Sequence, residues 1–293
     1  MKPAPFDYFL ANSTEEAVQS LSSDEGEAVI LAGGQTLMPL LSMRLARPDR
    51  VIDINEISEL SGIEEVGNEV IIKACTRQFM ALDSSVVAMR LPLLHKGLNF
   101  VGHFQTRNRG TVGGSLAHAD PAAEIPLAAL AMDAEVELWS VRGRRRLRID
   151  EFVIGPMITV REPDELLVSV RFPFSPLEGS AGTSFQEVSE RHGDFAVVAV
   201  AAKLRFDNEV CILAAIAFGG VDHKPIRIPE LEAILIGQSI TEEIFTDVRE
   251  VILDTVSPGS DQHATADYRR RVAVKLAIRA ISEAVHEARG ERW

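Results

Sequence analysis

The sequence of 293 residues predicts an α+β fold, in which a small α/β unit is followed by a longer region of strands and helices and by a C-terminal region of sheet and helix. Three observations carry this prediction. An apolar run at Ala28–Leu31 ends in Gly33-Gly34 and leads into a helix start at residues 38–41. Strand-like segments then alternate with helical ones up to about residue 175. Beyond that point, a long hairpin pattern is followed by helical patterns.

Residues 1–55 are predicted to form the first α/β unit. Ser13 and Glu16 have the spacing of a capping box, so a helix with an apolar face is expected to begin there. The apolar run at 28–31 is typical of a buried parallel strand, and residues 50–54 predict a second strand. A short helix is expected to join the two strands.

Residues 56–176 and 177–293 are predicted to form the next two units. In the first of them, the predicted elements are a hairpin that turns at 67–68, a helix that begins after 83–85, a helix over 92–104 and strands over 133–138 and 165–172. Proline and glycine residues predict a boundary near 175–182. In the last unit, the predicted elements are a hairpin of residues 195–206 and 210–218 that turns at 207–208, a helix that is capped by Thr241 and ends near 253, and a final helix over 264–289.

Composition and charge exclude several functions. The net charge of −13 argues against nucleic acid as a partner, and no apolar run approaches the length of a membrane span. Cys75 and Cys211 are too few to hold an iron–sulfur cluster on this chain. Because both lie in apolar runs, we expect buried thiols and a cytoplasmic protein. The arginine-rich segment 142–148 is expected at a hairpin tip, which is either solvated or a docking patch for an acidic partner subunit.

Two glycine pairs predict a cofactor with phosphate groups. In residues 32–37 the pair follows a strand and precedes a helix, an arrangement that brings bare backbone N–H groups close to an anion. Residues 111–115 hold the second pair, beside Arg107 and Arg109. Two such loops on one chain suit a ligand with two phosphates, so the sequence predicts a dinucleotide cofactor.

The segment 107–126 is the densest polar stretch of the chain and supplies further candidate ligands. Its hydroxyl and glycine N–H groups are predicted to hold pyrophosphate oxygens, at Thr111, Gly113, Gly114 and Ser115. Asp120 and Glu124 are expected to accept hydrogen bonds from sugar or ribityl hydroxyls. His118 is interpreted as a structural residue hydrogen-bonded to the nearby aspartate, because no third metal ligand and no nucleophile elbow accompany it.

Three runs of sequence carry a resemblance to a known family: residues 32–41 (AGGQTLMPLL), 107–121 (RNRGTVGGSLAHADP) and 190–196 (ERHGDFA). In this order and spacing, they resemble the FAD-binding medium subunits of molybdenum hydroxylases. That family includes carbon monoxide dehydrogenase, quinoline 2-oxidoreductase and the flavin domain of xanthine dehydrogenase. The resemblance covers essentially the whole length of the chain.

The resemblance implies a fold and a role. The fold is the vanillyl-alcohol-oxidase (PCMH-type) FAD-binding fold, with two α/β subdomains and a C-terminal domain of the CO dehydrogenase flavoprotein type. A large partner subunit with a molybdopterin cofactor hydroxylates the substrate, and a small partner subunit with two 2Fe-2S clusters relays the electrons. FAD on this chain passes them to NAD+, a quinone, a carrier protein or oxygen. The implied assembly is a dimer of heterotrimers.

Together, these arguments predict a FAD site with no catalytic residue and no metal ligand on this chain. The predicted cofactor-binding residues are Ala32, Gly33, Gly34, Gln35, Thr36, Leu37, Val101, Thr106, Gly110, Thr111, Gly113, Gly114, Ser115, His118, Asp120, Glu124, Leu167, Phe185 and Gln186. By resemblance, Leu167 approaches the isoalloxazine or the adenine. Phe185 and Gln186 stand where relatives carry an aromatic residue followed by, or near, a lysine. Here Glu187 comes next, so the resemblance does not supply a lysine contact to the flavin, and the sequence does not specify whether this departure alters the reduction potential.

Two alternatives remain open at this point. One is a stand-alone flavin oxidoreductase of the same fold, which is disfavoured because no persuasive acid or base lies outside the cofactor loops. The other is an interaction subunit that has kept the fold and lost the flavin, which the intact glycine pairs disfavour. The sequence specifies neither the substrate of the complex nor the electron acceptor.

Overall fold

Three sheets and a two-stranded ribbon organise the protein in its computed structural model, which describes residues 2–23, 26–174 and 180–291. Each of the three larger sheets uses one continuous stretch of chain, and helices cover them. The predicted α+β class is confirmed. The predicted boundary near 175–182 lies partly outside the described residues, because 175–179 are not described.

The first region forms a parallel three-stranded sheet with the order β1-β3-β2. Its elements are β1 (Asp7–Leu10), α1 (Thr14–Leu21), β2 (Ala28–Leu31), α2 (Leu37–Ser42) and β3 (Arg50–Asp53). Ser13 caps α1 as predicted, because its Oγ accepts a hydrogen bond from the N–H of Glu16 at 3.2 Å. The reciprocal half of the capping box is absent: the Glu16 carboxylate accepts from the N–H of Asn12 instead. β2 is parallel as predicted but only half-buried, since it is an edge strand.

The second region is built on an antiparallel five-stranded sheet with the order β4-β5-β10-β6-β7. After a 3₁₀ turn at Ser58–Leu60, its elements are β4 (Ile63–Val66), β5 (Glu69–Lys73), α3 (Gln78–Leu82), α4 (Ser85–Arg90), α5 (Pro92–Leu98), α6 (Phe104–Arg109), α7 (Val112–His118), α8 (Glu124–Ala131), β6 (Glu135–Ser140), β7 (Gly143–Arg148), α9 (Ile149–Phe152), β8 (Val153–Gly155), β9 (Ile158–Thr159) and β10 (Leu166–Pro173). The predicted hairpin is present, and its turn residue Gly67 has a φ of +59°.

Two predictions in this region are wrong. The helix expected over 92–104 ends at Leu98, because the chain turns at Gly102 with a φ of +45° before α6 begins. Val101 is still buried with the helix core, although it lies in the connecting segment. The arginine-rich segment is not a hairpin tip but the edge strand β7 itself. Its arginines contact neighbouring segments: the Arg144 guanidinium lies 3.9 Å from the centroid of the Trp139 ring, and Arg145 donates to the Glu165 carboxylate.

The third region is an antiparallel sheet with the order β11-β12-β13-β14. Its elements are β11 (Ser180–Ser189), β12 (Ala196–Asp207), β13 (Val210–Gly219), β14 (Ile226–Arg227), α10 (Pro229–Leu235), α11 (Ile244–Thr255) and α12 (Ala266–Ala288). The hairpin turns at Asn208 as predicted, with a φ of +53°. Thr241 does not cap a helix, because α11 begins at Ile244. The N-cap of the last helix is Thr265, whose hydroxyl accepts from the N–H of Tyr268.

The two faces of this third sheet meet different partners, and this decides where its side chains point. α12 packs on one face so closely that a Cβ on Gly182 would lie 1.8 Å from the carbonyl oxygen of Ala284. The opposite face joins the core of the second region through Phe185, Ala199 and Ala201. Alternate residues of β11 and β12 therefore face either α12 or the second region.

Both cysteines are buried and unpaired by disulfide, as the apolar runs predicted. Burial raises the pKa of the Cys75 thiol to about 12, so it is no nucleophile at neutral pH. Within the described residues, no helix is long and apolar enough to cross a membrane.

Candidate cofactor site

A cleft of about 640 Å³ lies where the first two regions meet, with the loop between β11 and β12 of the third region at its rim. Ligand sites of small molecules have volumes of roughly 300–1,000 Å³. Every residue predicted to bind the cofactor lines this cleft, except Phe185 and Gln186. The structure therefore brings together residues that are more than a hundred positions apart in sequence, such as Gly33 and Leu167.

The first glycine loop offers a row of free hydrogen-bond donors. Among the described residues, the backbone N–H groups of Gly33, Gly34, Gln35 and Thr36 have no acceptor. The chain enters α2 directly afterwards, since the N–H of Met38 donates to the carbonyl of Gly34 at 3.0 Å. Gly34 has a φ of +71°, which a residue with a side chain rarely adopts. Successive free N–H groups of this kind form a concave site for an anion.

The second glycine pair is not a loop but the first turn of α7, and its donors are already used. The N–H of Gly113 donates to the carbonyl of Ala74 at 2.9 Å, and that of Gly114 to the Thr111 hydroxyl at 3.0 Å. The predicted pyrophosphate contacts through these two N–H groups are therefore not supported by the geometry. Gly113 is needed for packing, because a Cβ there would lie 2.6 Å from Ala74. The Ser115 hydroxyl lines the cleft and bonds no described residue.

The two glycine segments touch each other through their backbones. A Cβ on Gly33 would lie 2.3 Å from the carbonyl oxygen of Arg109 and 2.8 Å from the Cα of Gly110. Arg107, predicted beside a phosphate, instead donates to the carbonyls of Val101 and Gly102 and supports that wall of the cleft. The close approach of the segments explains why residue 33 must be small, whereas a Cβ on Gly110 would lie 2.5 Å from Gln78 Oε1.

Gln78 is an unsatisfied polar group in the cleft wall. Its side chain is 6% exposed and lines the cleft. Its Oε1 has no hydrogen-bond partner in the described part of the chain. A buried acceptor left without a donor costs about 1–3 kcal/mol, so a ligand that donates a hydrogen bond here is stabilised.

Two carboxyl groups with raised pKa values lie in or behind the wall of the cleft. Glu124 is 7% exposed, and its desolvation, with a smaller contribution from the Asp120 charge, raises its pKa to about 7. Behind it, desolvation and the Glu124 charge raise the pKa of Glu187 to about 8. Glu187 Oε2 is buried and has no partner among the described residues. A carboxyl that is protonated near neutral pH can both donate and accept hydrogen bonds.

His118 and Asp120 both line the cleft, but they are not hydrogen-bonded as predicted. The distance from His118 Nε2 to Asp120 Oδ2 is 4.0 Å, which is too long. Asp120 instead uses its Oδ1 to accept from the N–H of Ala122 at 2.8 Å, in the turn that leads into α8. Across the described residues, no three His, Cys, Asp or Glu side chains come together as a metal site.

Phe185 and Gln186 lie outside the cleft, and the alternation of β11 is the reason. Phe185 is in the core, with its ring centroid 5.4 Å from that of Phe100. The next residue points to the opposite face, where Gln186 Nε2 donates to Ser184 Oγ and to the Glu283 carboxylate. Glu187 then points back to the second region, toward Glu124. Phe185 and Glu187 thus lie on the face of β11 that meets the second region, and neither of them lines the cleft.

Sequence reasoning missed a cation and an aromatic residue of the cleft. Arg161 lines it, and its Nη1 donates to the carbonyl of Glu165 at 2.8 Å. Burial lowers the pKa of this guanidinium. Phe195, which is 69% exposed, lies at the rim with Gly193. Gly193 and Phe195 belong to the run 190–196, which carried part of the family resemblance. No local pattern marks Arg161, because only tertiary contact brings it to the site.

These features fit FAD. The free N–H groups of residues 33–36 can donate hydrogen bonds to phosphate oxygens, whereas the Glu124 carboxyl can bind hydroxyl groups. The small residues Gly33 and Gly34 leave backbone open to the ligand. Val101 and Leu167 supply apolar surface for a ring system.

Comparison with known proteins identifies the family of the chain. Residues 4–175 match the family described as FAD binding domain in molybdopterin dehydrogenase. Residues 183–284 match the CO dehydrogenase flavoprotein C-terminal domain. The alpha subunit of the 6-hydroxypseudooxynicotine dehydrogenase complex of Paenarthrobacter nicotinovorans is 37% identical, over 99% of this chain and 97% of its own. The medium chain of carbon monoxide dehydrogenase of Hydrogenophaga pseudoflava is 32% identical, over 97% and 98%.

Solved structures agree as well. Carbon monoxide dehydrogenase from Hydrogenophaga pseudoflava, in a form that lacks the Mo-pyranopterin moiety of the molybdenum cofactor, superposes with a TM-score of 0.94. It is 33% identical and covers 98% of this chain and 99% of that chain. Quinoline 2-oxidoreductase from Pseudomonas putida 86 superposes with a TM-score of 0.93 at 34% identity, over 98% and 99%.

Proposed function

This chain belongs to the family of FAD-binding medium subunits of molybdenum hydroxylases, and we propose that it is the electron-transfer subunit of such a complex. In this role it takes electrons from 2Fe-2S clusters of a partner subunit and passes them to an external acceptor. The observation that carries the proposal is the cleft itself, which is lined by a row of free N–H groups and by the buried Glu124 within a FAD-binding domain.

The residues of the cleft have separate tasks in this proposal. The N–H groups of residues 33–36 bind the pyrophosphate, and the Ser115 hydroxyl adds a donor beside them. Asp120 and Glu124 bind sugar or ribityl hydroxyls, and the apolar wall at Leu167 contacts a ring. Bound FAD supplies the exchange of one or two electrons. The pKa of Glu124 is raised to about 7 and that of the half-buried Glu187 to about 8, so both carboxyls carry less negative charge at neutral pH than exposed carboxyls do.

The partners follow from the chemistry that this chain lacks. Its two thiols are buried, and the described residues bring together no three His, Cys, Asp or Glu side chains that could ligate a metal, which favours hydroxylation and electron relay on other subunits. We therefore propose a large molybdopterin subunit and a small iron–sulfur subunit, assembled with this chain as a dimer of heterotrimers in the cytoplasm. The relatives that are named as the alpha subunit of a complex and as a medium chain support this assignment.

The experiment compares the purified chain with the reconstituted complex. We expect a yellow chain whose flavin is released entirely by acid precipitation. The molybdenum and iron–sulfur subunits are reduced together with dithionite and desalted. Mixed with the chain in a stopped-flow instrument, they should bleach its flavin within milliseconds. The reduced molybdenum subunit alone should not bleach it, because the 2Fe-2S clusters form the path.

The alternatives give different results. A colourless chain that binds no added FAD would identify an interaction subunit without flavin. Bleaching of the flavin in the isolated chain by an organic substrate of the complex would identify a stand-alone oxidoreductase with its own substrate site.

A further inference from the structure

We infer that Asn55 and Arg77 are positioning residues that hold the first glycine loop against the α6–α7 connection, so that the free N–H row is ordered for FAD. Neither residue lines the cleft, so their effect on the cofactor passes through the backbone. The inference rests on the proposed binding of FAD in the cleft and is independent of which electron acceptor the chain uses.

Asn55 holds the start of the glycine loop. Its Nδ2 donates to the carbonyl of Ala32 at 2.8 Å and to Asp53 Oδ1 at 2.6 Å. The backbone N–H of Asn55 donates to the same Asp53 oxygen at 2.9 Å, which fixes the side chain at the end of β3. The amide is thus anchored on one strand and reaches across to the end of the neighbouring strand, next to Gly33.

Arg77 connects Asn55 to the α6–α7 connection. Its Nη2 donates to Asn55 Oδ1 at 2.6 Å, and its Nη1 donates to the carbonyl of Arg109 at 2.5 Å. The neighbouring backbone is paired as well, since the N–H of Gln78 donates to the carbonyl of Gly110 at 2.9 Å. A planar guanidinium makes both side-chain bonds at once, which a lysine ammonium cannot do in this geometry.

The carbonyl that Arg77 holds is the one that lies over Gly33. A Cβ on Gly33 would be 2.3 Å from the Arg109 oxygen, so this contact determines how closely the glycine loop approaches the end of α6. In the described part of the chain, no backbone hydrogen bond joins residues 32–36 to residues 105–111. The path from Ala32 through Asn55 and Arg77 to Arg109 is therefore what fixes these two segments by hydrogen bonds.

The functional consequence is an ordered phosphate site. Four free N–H groups bind an anion well only if their directions are fixed before binding, because ordering them otherwise subtracts from the affinity. The network crosses between the first and second regions at the cleft, whereas other hydrogen bonds between them, from Thr14 to Glu59 and from Cys75 to the carbonyl of Ile54, do not involve the glycine loop. We expect its loss to leave each region folded and to loosen the loop.

The test measures FAD affinity and stability in the full chain. Apoprotein of Asn55→Ala, Arg77→Met and Arg77→Lys is titrated with FAD by flavin fluorescence. Each variant should bind FAD about 10- to 100-fold more weakly, the range expected for the loss of hydrogen bonds to a charged group. The matched control is Arg90→Met, whose guanidinium pairs with Glu65 on the surface of the second region. Its FAD affinity should equal that of the natural chain.

Two further measurements separate positioning from plain stability. The apoprotein Tm of Arg77→Met should match that of Arg90→Met within a few degrees. The double variant Asn55→Ala/Arg77→Met should bind FAD no more weakly than the weaker single variant, because the two residues form one path. The inference would be overturned if the single variants bound FAD with unchanged affinity, or if the losses of affinity added up in the double variant. It would also be overturned if FAD affinity fell only in proportion to Tm. If the natural chain itself bound no FAD, the cofactor assignment would fail first, which is a distinguishable result.

Discussion

Replacing Glu187 by glutamine should make the protein more stable at alkaline pH and leave its stability near pH 5 almost unchanged. The carboxyl faces the second region beside Glu124, and its Oε2 is buried without a partner among the described residues. Desolvation first, and the Glu124 charge second, raise its pKa from 4.5 to about 8. Glutamine keeps the shape of the side chain and removes the charge.

The sign follows from the raised pKa. A carboxyl that binds its proton more tightly in the folded state stabilises the fold below its unfolded pKa, and this contribution is lost as the pH rises through the folded value. For Glu187, the loss extends from about pH 4.5 to about pH 8. At 1.36 kcal/mol per pKa unit, this shift has an upper limit of about 5 kcal/mol. Because the side chain is only half-buried and solvent screens it, we expect about 2 kcal/mol.

Thermal unfolding of the apoprotein from pH 5 to pH 9 measures the effect. About 2 kcal/mol corresponds to a Tm increase of about 4 °C for a chain of this size at pH 9. Glu190→Gln, three residues further along and half-exposed beside His263, is the control and should show no such increase. Equal Tm differences between Glu187→Gln and the natural chain at pH 5 and pH 9 would refute the reasoning.

Three other substitutions test the packing and the cleft. Gly33→Ala should abolish FAD binding, because its Cβ would lie 2.3 Å from the last backbone carbonyl of α6. The control Gly259→Ala, whose Cβ would lie in open space, should bind FAD normally. Equal affinities of the two variants in equilibrium titrations would contradict the assignment of the site. Ser115→Ala should weaken FAD binding about 5-fold with no change in Tm, consistent with the loss of one hydrogen bond, and an unchanged dissociation constant would remove this hydroxyl from the site. Gly182→Ala should lower Tm by several degrees, since its Cβ would lie 1.8 Å from a backbone carbonyl oxygen of α12. An unchanged melting curve would show that α12 can move away without loss of stability.

The sequence by itself determined the features that depend on near neighbours. Ser13 caps a helix because its hydroxyl reaches an N–H only three residues away. The hairpins at Gly67 and Asn208 form because these residue types accept a positive φ. Local signals also located most of the cleft, since the glycine-rich and polar runs mark where backbone and side chains are kept open for a ligand.

Tertiary structure decided which groups in those runs are free to bind. The N–H groups of Gly113 and Gly114 looked equivalent to those of the first pair, but Ala74 and Thr111 accept their hydrogen bonds. Whether an N–H is free depends on which carbonyl packs against it, and that partner lies on another element.

Side-chain direction was likewise decided by packing. Gln186 and Glu187 are neighbours, so the register of β11 against β12 turns one toward α12 and the other toward Glu124. Arg161 joins the cleft only because the segment before β10 folds over it. A sequence records which residues can form a site, whereas long-range packing fixes which of their atoms point into it, because the direction of each side chain depends on partners distant in the chain.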